Sequence, residues 1–327
     1  MGMYLNPGTG LFRMALNSEI YIDKSDMIAV LNRMVNTERR FVCVSRPRRF
    51  GKSLTANMLT AYYGVSEDGG ILFKDLQIGH KTDGLNECGR YDVIKVNVQE
   101  FLSSGLSINA MLERLQLRVI REIYREYPDV DYFDKTHLAD TLGDVFSSTG
   151  RQFVIILDEW DCIFREYPHD EEAQRLYLDF LRNLLKDKEY VALAYMTGIL
   201  PIKKYGTHSA LNMFTEFSME HPDQMAQFVG FTEEETKNLC LRYGMDFDEC
   251  RAWYDGYAFP RVPHIYSPKS VVDAMVNGRF GSYWNKTETY EALQVYIDLN
   301  EDGLRDAVVK MMGGGRQKLI PEPFKMT

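Results

Sequence analysis

The sequence has few of the residues that build metal centres and disulfide frameworks. Its 327 residues include five cysteines, an odd number, and no two of them have C-x-x-C spacing. The six histidines are scattered without the spacing of metal ligands. We therefore expect reduced, buried thiols and no structural metal.

Long apolar segments are also missing. No stretch reaches the roughly 18 apolar residues that a membrane span requires, and residues 1–16 contain no basic region followed by an apolar core. We expect no membrane span, no signal peptide and a cytoplasmic protein. The net charge of -9 argues against a surface built as a whole for nucleic acid, but it is compatible with a local basic patch.

What the sequence does contain is the alternation of strands and helices that is typical of an α/β protein. An apolar fraction of 45% and a charged fraction of 26% indicate a globular chain. Short apolar runs predict strands at residues 41–44, 92–98, 153–157 and 191–196. Helical spacing of apolar residues predicts helices at residues 24–37, 53–63, 108–127, 135–147 and 171–186. This order predicts a parallel sheet with helices on both faces.

The last third of the chain has a different pattern, which is mostly helical from about residue 215. Thr232 and Glu235 fit a capping box for a helix that runs to Tyr243 and stops at Gly244. Smaller helices are predicted at residues 267–276 and 287–299. We therefore place one domain at residues 1–215 and a mostly helical domain at residues 216–327.

A phosphate-binding loop is predicted between the first strand and the helix that follows it. Residues 46–53, RPRRFGKS, match the last three positions of the pattern G-x-x-x-x-G-K-[ST], but Arg46 replaces the first glycine. A loop in this place directs backbone N–H groups at an anion. We expect Gly51 to let the backbone approach the phosphates, Lys52 to reach the β- and γ-phosphates, and Ser53 to bind Mg²⁺. The alternative is a basic surface loop that precedes a helix.

The apolar run at residues 153–157 ends in two adjacent carboxylates, Asp158 and Glu159. Ligands bind beside the carboxyl ends of parallel strands. Asp158 is expected to hold Mg²⁺ through a water molecule. Glu159 points elsewhere because side chains alternate along a strand, and we expect it to orient and deprotonate the attacking water. The two motifs, in this order, predict a magnesium-dependent nucleoside-triphosphate site.

Two further residues near these strand ends have two interpretations each. Thr197 follows the run at residues 191–196, and it either reads the γ-phosphate or caps the end of the strand. Asp161 either supports the magnesium site or lies in a solvated acidic loop.

Six segments of the chain carry a resemblance to a known family. They are YIDKS at residues 21–25, SRPRRFGKSL at 45–54, LDEWD at 157–161, TGIL at 197–200, GFTEEE at 230–235 and WYDGY at 253–257. Together they cover about residues 15–290, and they resemble the predicted bacterial AAA-ATPase-like proteins. An arginine in place of the first glycine is this family's own pattern, so Arg46 is weak evidence against nucleotide binding.

The resemblance implies a P-loop ATPase core of the signalling and defence type, followed by a helical or winged-helix lid from about residue 216. It implies ATP rather than GTP, with Mg²⁺. Long members of the family carry a C-terminal PD-(D/E)xK nuclease-like domain. We find no acidic nuclease signature, so we expect a part of a longer chain or a short relative, and we assign no nuclease activity. Residues 253–257 are expected to form a structural corner rather than to contact nucleotide.

The segment at residues 39–49 is rich in arginine although the chain as a whole is acidic. The residues concerned are Arg39, Arg40, Arg46, Arg48 and Arg49. Three roles are open for these arginines. They neutralise triphosphate charge within the chain, or one of them reaches a neighbouring subunit as an arginine finger. The third alternative is a patch that binds nucleic acid. We expect Arg48 or Arg49 to touch phosphate. The residues expected to contact nucleotide are Arg48, Arg49, Phe50, Gly51, Lys52, Ser53 and Leu54.

Three functions follow from these patterns. The first is magnesium-dependent ATP hydrolysis that drives an attached effector, with Lys52, Asp158, Glu159 and Thr197 as catalytic residues. The second is a nucleotide switch with negligible turnover. The third is the ATPase subunit of a protein that processes nucleic acid. Glu159 favours hydrolysis, because a switch has no need of a carboxylate that activates water. Nothing in the sequence defines the oligomeric state.

Overall fold

The computed structural model contains a five-stranded parallel sheet. It describes residues 2–66, 68–102, 106–202, 211–219, 221–259 and 262–283. The strands are β1 (Phe41–Ser45), β2 (Asp92–Asn97), β3 (Phe153–Asp158), β4 (Val191–Gly198) and β5 (Thr215–Phe217). They lie in the order β2-β3-β4-β1-β5, and every neighbouring pair is parallel.

The burial of the central strands confirms the predicted sheet. Every residue of β1, β3 and β4 is buried. Since successive side chains point to opposite faces, both faces of the sheet are covered, as expected for continuous apolar runs in a parallel sheet. Strand β5 escaped prediction because it has three residues, of which only Phe217 is buried.

Eight of the described helices flank this sheet. They are α1 (Gly10–Leu16), α2 (Asp26–Asn32), α3 (Lys52–Tyr63), α4 (Gly69–Phe73), α5 (Ile108–Glu126), α6 (Leu138–Thr149), α7 (Cys162–Glu166) and α8 (Glu171–Leu185). Helix α3 contacts β2, β3 and β4, whereas α5, α6 and α8 pack against one another. The sequence did not predict α1, α4 and α7, which are too short to show a helical period. No helix in the described ranges is both long and apolar enough to cross a membrane.

The helix predicted at residues 24–37 is shorter in the structure, where α2 ends at Asn32. Beyond it the chain turns, with a φ of 56° at Asn36. The N–H of Asn36 donates to the carbonyl of Ala192 at 2.9 Å, so the chain is drawn toward β4. Met34 and Val35, which looked like part of the helix, are buried in this turn instead.

The C-terminal part of the described chain combines helices with a small antiparallel sheet. Its elements are β6 (Phe231–Thr232), α9 (Glu233–Tyr243), α10 (Phe247–Tyr254), β7 (Asp255–Tyr257), β8 (Ile265–Tyr266) and α11 (Pro268–Asn277). The strand order is β6-β8-β7. Helices α9 and α11 match two predicted helices, whereas the helix predicted at residues 287–299 lies outside the described residues. The strands are too short to have been predicted.

The division predicted at residues 215/216 falls inside β5, which pairs with β1 and extends the core sheet to Phe217. The two-domain organisation therefore stays a prediction. A partly buried ion pair also joins the two parts. The ammonium of Lys24 donates to the carbonyl of Gln227 at 2.7 Å and to both carboxylate oxygens of Glu235 at 2.6 Å.

The capping box of α9 has the predicted residues. The Thr232 hydroxyl accepts from the N–H of Glu235 at 3.3 Å, and the Glu235 carboxylate accepts from the N–H of Thr232 at 2.8 Å. Gly244 ends the helix in the left-handed conformation, with a φ of 65°. The same glutamate thus caps a helix and neutralises Lys24.

We predict that Thr232→Ala lowers the free energy of unfolding by about 1 kcal/mol, because the N–H of Glu235 loses its acceptor. Chemical denaturation monitored by circular dichroism measures this loss. Thr232→Ser retains the hydroxyl and is expected to stay within about 0.5 kcal/mol of the wild type. Equal losses in the two variants would contradict the capping role of the hydroxyl.

Candidate nucleotide-binding site

The loop between β1 and α3 has the backbone of an anion site. Arg49 and Gly51 both have left-handed φ values, 68° and 83°. The first helical hydrogen bond of α3 runs from the N–H of Thr55 to the carbonyl of Gly51 at 2.9 Å. The N–H groups of the first helical turn therefore have no acceptor within the helix, and no acidic side chain occupies this turn. Such a helix start favours a bound anion.

The space beside the loop is compatible with a phosphate group. A Cβ atom added to Gly51 would meet no atom within 4 Å. Glycine is needed here for its left-handed φ rather than for a close contact. Ser53 and Leu54, in the first turn of α3, are exposed. The hydroxyl predicted to bind Mg²⁺ is therefore accessible.

Lys52 is folded into the loop. Its ammonium donates to the carbonyls of Arg46 and Pro47, each at 2.9 Å, and the residue is 5% exposed. Burial lowers the pKa of Lys52, and the nearby carboxylates of Glu159 and Asp161 oppose this shift. The lysine thus lies between the loop carbonyls and the acidic end of β3.

Asp158 ends β3 between two neighbouring strands. It pairs in register with Thr197 of β4 and with Asn97 of β2. The residue is 2% exposed, and its Oδ1 accepts from the N–H of Glu159 at 3.1 Å. The carboxylate therefore lies at the same edge of the sheet as the loop after β1.

Glu159 has an unusual backbone conformation and a charged partner. Its φ of 53° lies in the left-handed region, which costs a residue with a Cβ about 1 kcal/mol or more. Its Oε2 accepts from the guanidinium of Arg165 at 2.5 Å. Burial raises the pKa of Glu159, while Lys52 and Arg165 oppose the rise. The ion pair with Arg165 holds this carboxylate in place.

Thr197 has a buried hydroxyl with unused hydrogen-bonding capacity. The residue is fully buried, and within the described part of the chain its Oγ1 has no hydrogen-bond partner. A buried hydroxyl without a partner costs free energy unless a ligand or water satisfies it. The role of Thr197, at a phosphate or as a cap of the strand end, stays a prediction.

Asp161 is buried and connects two strand ends, which excludes the solvated-loop alternative. Its Oδ2 accepts from the N–H groups of Ile199 and Leu200 at 3.0 and 2.8 Å, immediately after β4. The same oxygen lies 3.2 Å from Nε of Arg165. Asp161 therefore holds the chain after β4 against the chain after β3, and through Arg165 it supports Glu159.

The arginines of the predicted cluster are divided between the two ends of β1. Arg39 and Arg40 precede the strand and therefore lie about 15 Å from the loop that follows it. Arg49 is exposed and Arg48 is partly exposed, both in the loop itself. Only the second pair is placed to reach a phosphate at α3.

Arg46 turns away from the loop. It is fully buried, and its Nη1 donates to the carbonyls of Ser45 and Phe217, each at 2.8 Å. Burial lowers the pKa of Arg46 to about 10. The side chain that replaces the first glycine therefore lies against β5 and does not obstruct the space in front of Gly51.

Comparison with known proteins agrees with this geometry. Residues 10–207 match the model of the AAA-ATPase-like family, described as predicted AAA-ATPase. The chain belongs to this family. The match covers every residue that the sequence predicted for the site, from Arg48 to Thr197, and supports an ATPase-like, nucleotide-binding role.

A curated relative of this AAA-ATPase-like chain has no assigned function. It is an uncharacterized protein in the vnfD 5' region of Azotobacter chroococcum mcd 1, 27% identical over 255 residues. The alignment covers 75% of the present chain and 47% of the relative. The chain thus spans about half the length of this relative.

Two residues that contact the AAA-ATPase-like site were not predicted from the sequence. Arg165 binds Glu159 and Asp161, and Glu216 accepts from the Ser45 hydroxyl at 3.2 Å and from the N–H of Ile202 at 2.7 Å. The spacing of Asp161 and Arg165, four residues apart, was the available signal. Glu216 lies in the unpredicted β5 and gave no signal.

We predict that Asp161→Ala lowers the free energy of unfolding by at least about 2 kcal/mol. The substitution leaves two buried backbone N–H groups without an acceptor. Urea denaturation measures the loss. Glu166→Ala removes an exposed carboxylate five residues away and serves as the control, with an expected change within about 0.5 kcal/mol. Similar losses in both variants would show that the buried contacts of Asp161 contribute nothing specific.

Proposed function

We propose that the chain binds ATP with Mg²⁺ and hydrolyses it, and that hydrolysis drives or gates an attached effector. The observation that carries this proposal is the meeting of three features at one edge of the sheet. These are the helix start at Gly51, the carboxylate of Asp158 and the unpartnered hydroxyl of Thr197. Family membership supports ATP rather than GTP as the nucleotide.

In this proposal each residue has one role. Backbone N–H groups from Gly51 to Leu54 bind phosphate oxygens, and Lys52 leaves the loop carbonyls to contact the β- and γ-phosphates. Ser53 and Asp158 hold Mg²⁺, which neutralises phosphate charge when bound. Arg48 or Arg49 adds a positive charge at the open side of the loop.

Glu159 is proposed to orient the attacking water and to accept its proton. Burial raises the pKa of this carboxylate above that of an ordinary glutamate, which strengthens it as a base. Arg165 holds one of its oxygens, so the other would face the water. Thr197 would complete the site by donating to the γ-phosphate or to that water.

One observation favours the alternative of a nucleotide switch with negligible turnover. Glu159 is the proposed base, and its Oε2 is occupied by an ion pair with Arg165 at 2.5 Å. If this pair persists when nucleotide is bound, the carboxylate would not activate water. The two functions therefore differ in turnover and not in ATP binding.

We predict that Lys52→Ala weakens binding of Mg·ATP by about 10- to 100-fold, because one charged hydrogen-bonding group is lost from the phosphates. Isothermal titration calorimetry measures the dissociation constant. Lys237→Ala removes an exposed lysine of α9 and is expected to bind like the wild type. Unchanged affinity in Lys52→Ala would show that this loop is not the binding site.

We also predict that Glu159→Gln keeps ATP affinity and lowers phosphate release by about 10²- to 10⁴-fold, the usual contribution of a general base. Glu166→Gln, the same exchange at an exposed position, is expected to retain the wild-type rate. The rates are measured with and without DNA or RNA, and with EDTA to remove Mg²⁺.

The outcomes of this measurement separate the candidate functions. Equal and slow release by the wild type and by Glu159→Gln under every condition would favour the switch. A rate that rises several-fold with nucleic acid would favour an ATPase subunit of a nucleic-acid-processing protein. Turnover that persists in EDTA would contradict the role of Mg²⁺.

A further inference from the structure

The phosphate-binding loop is in contact with the C-terminal part of the described chain through Phe50. This residue immediately precedes Gly51 and is only 2% exposed. Its ring lies 5.2 Å from the ring of Tyr257, with an angle of 85° between the ring planes. Tyr257 is the last residue of β7, so an edge-to-face aromatic pair joins the loop to the small antiparallel sheet.

Gly230 makes room for this contact. Its φ is +112°, a conformation that side chains rarely adopt. A Cβ atom at this position would lie 3.3 Å from a ring carbon of Phe50 and 2.6 Å from Cγ2 of Ile265. The Phe50 ring therefore fits against a backbone position that excludes a larger residue.

A second contact lies at the other end of the loop. The guanidinium of Arg46 is 5.6 Å from the centre of the Phe259 ring, and its Nη1 is bound to the carbonyl of Phe217. Both Arg46 and Phe259 are buried. Residues 47–49 of the loop thus lie between two contacts with the C-terminal part. Arg46 contacts Phe259, and Phe50 contacts Tyr257.

We propose that Gly230, Tyr257 and Phe259 form an aromatic clasp that positions the phosphate-binding loop for ATP. The proposal rests on the proposed function of this loop. The clasp gives a role to the segment at residues 253–257, for which the sequence predicts a structural corner. Tyr257 is a positioning residue, because it acts on phosphate binding through Phe50.

The physical basis of the clasp is preorganisation. A loop whose N–H groups already converge loses less conformational freedom when phosphate binds, so its affinity is higher than that of a mobile loop. Holding the loop at both ends restricts Arg49 and Gly51 to their left-handed conformations. Because coupling between two sites is reciprocal, ATP must in turn stabilise the contact between Phe50 and Tyr257.

The first test measures the rate at which trypsin cleaves the loop in the absence of nucleotide. Trypsin cleaves after arginine and lysine but not before proline, so Arg48–Arg49 and Arg49–Phe50 are its sites before helix α3, whereas Arg46–Pro47 resists. We expect Tyr257→Ala to be cleaved at these two bonds several-fold faster than the wild type, as mapped by mass spectrometry. Tyr257→Phe keeps the ring and should be cleaved at the wild-type rate. Leu241→Ala, a change at an exposed residue of α9, is the control.

The second test measures Mg·ATP affinity in the same proteins. We expect Tyr257→Ala to bind about threefold to tenfold more weakly, which corresponds to the loss of one aromatic pair. Tyr257→Phe should restore the affinity, and Leu241→Ala should not alter it. The melting temperature without nucleotide is recorded for each variant. If Tyr257→Ala does not fold, Tyr257→Leu keeps an apolar side chain and replaces it in both tests.

Wild-type cleavage and wild-type affinity in a folded Tyr257→Ala or Tyr257→Leu variant would overturn the clasp. A loss of affinity that Tyr257→Phe fails to restore would also overturn it, because the ring would not be the cause. If the wild type binds no nucleotide, the proposed function fails. The trypsin result then still decides whether the clasp holds the loop.

Discussion

The parallel register of β1, β4 and β3 is the constraint on which the candidate site depends. Val44 pairs with Thr197, and Thr197 pairs with Asp158, so the loop after β1 and the acidic end of β3 flank one threonine. A slip of one residue in either pair would turn the side chains to the opposite face of the sheet. The buried apolar side chains of these strands oppose such a slip, and the core therefore fixes the placement of the charged residues.

Charged side chains near the strand ends also fix the geometry of the site. Asp161 joins the backbone after β4 to Arg165, and Arg165 joins Glu159. Each of these groups would be costly to bury alone, so their positions depend on one another. This dependence explains how Glu159 keeps a left-handed backbone that would be unfavourable in isolation.

Features that depend on neighbouring residues in the chain were predictable from the sequence. The strands β1 to β4, the start of α3 and the capping box of Thr232 and Glu235 all follow from local spacing. Features that depend on tertiary contacts were not. Arg46 looked like a departure from a phosphate-binding pattern, and no local rule shows that its side chain turns toward β5. Likewise, Phe50 and Tyr257 are about 200 residues apart, and their contact exists only because β6 to β8 fold against the loop.

The same contact bears on how a nucleotide site communicates with the rest of a protein. The relative in Azotobacter is about twice as long as the aligned region, so a chain of this kind can carry further segments. A signal from ATP to such a segment needs a physical path out of the loop. Phe50 offers one, because it lies two residues before Lys52 and its ring packs on Tyr257. If ATP binds as proposed and the clasp positions the loop, coupling is reciprocal, and displacement of Tyr257 would weaken ATP binding just as ATP would stabilise the contact.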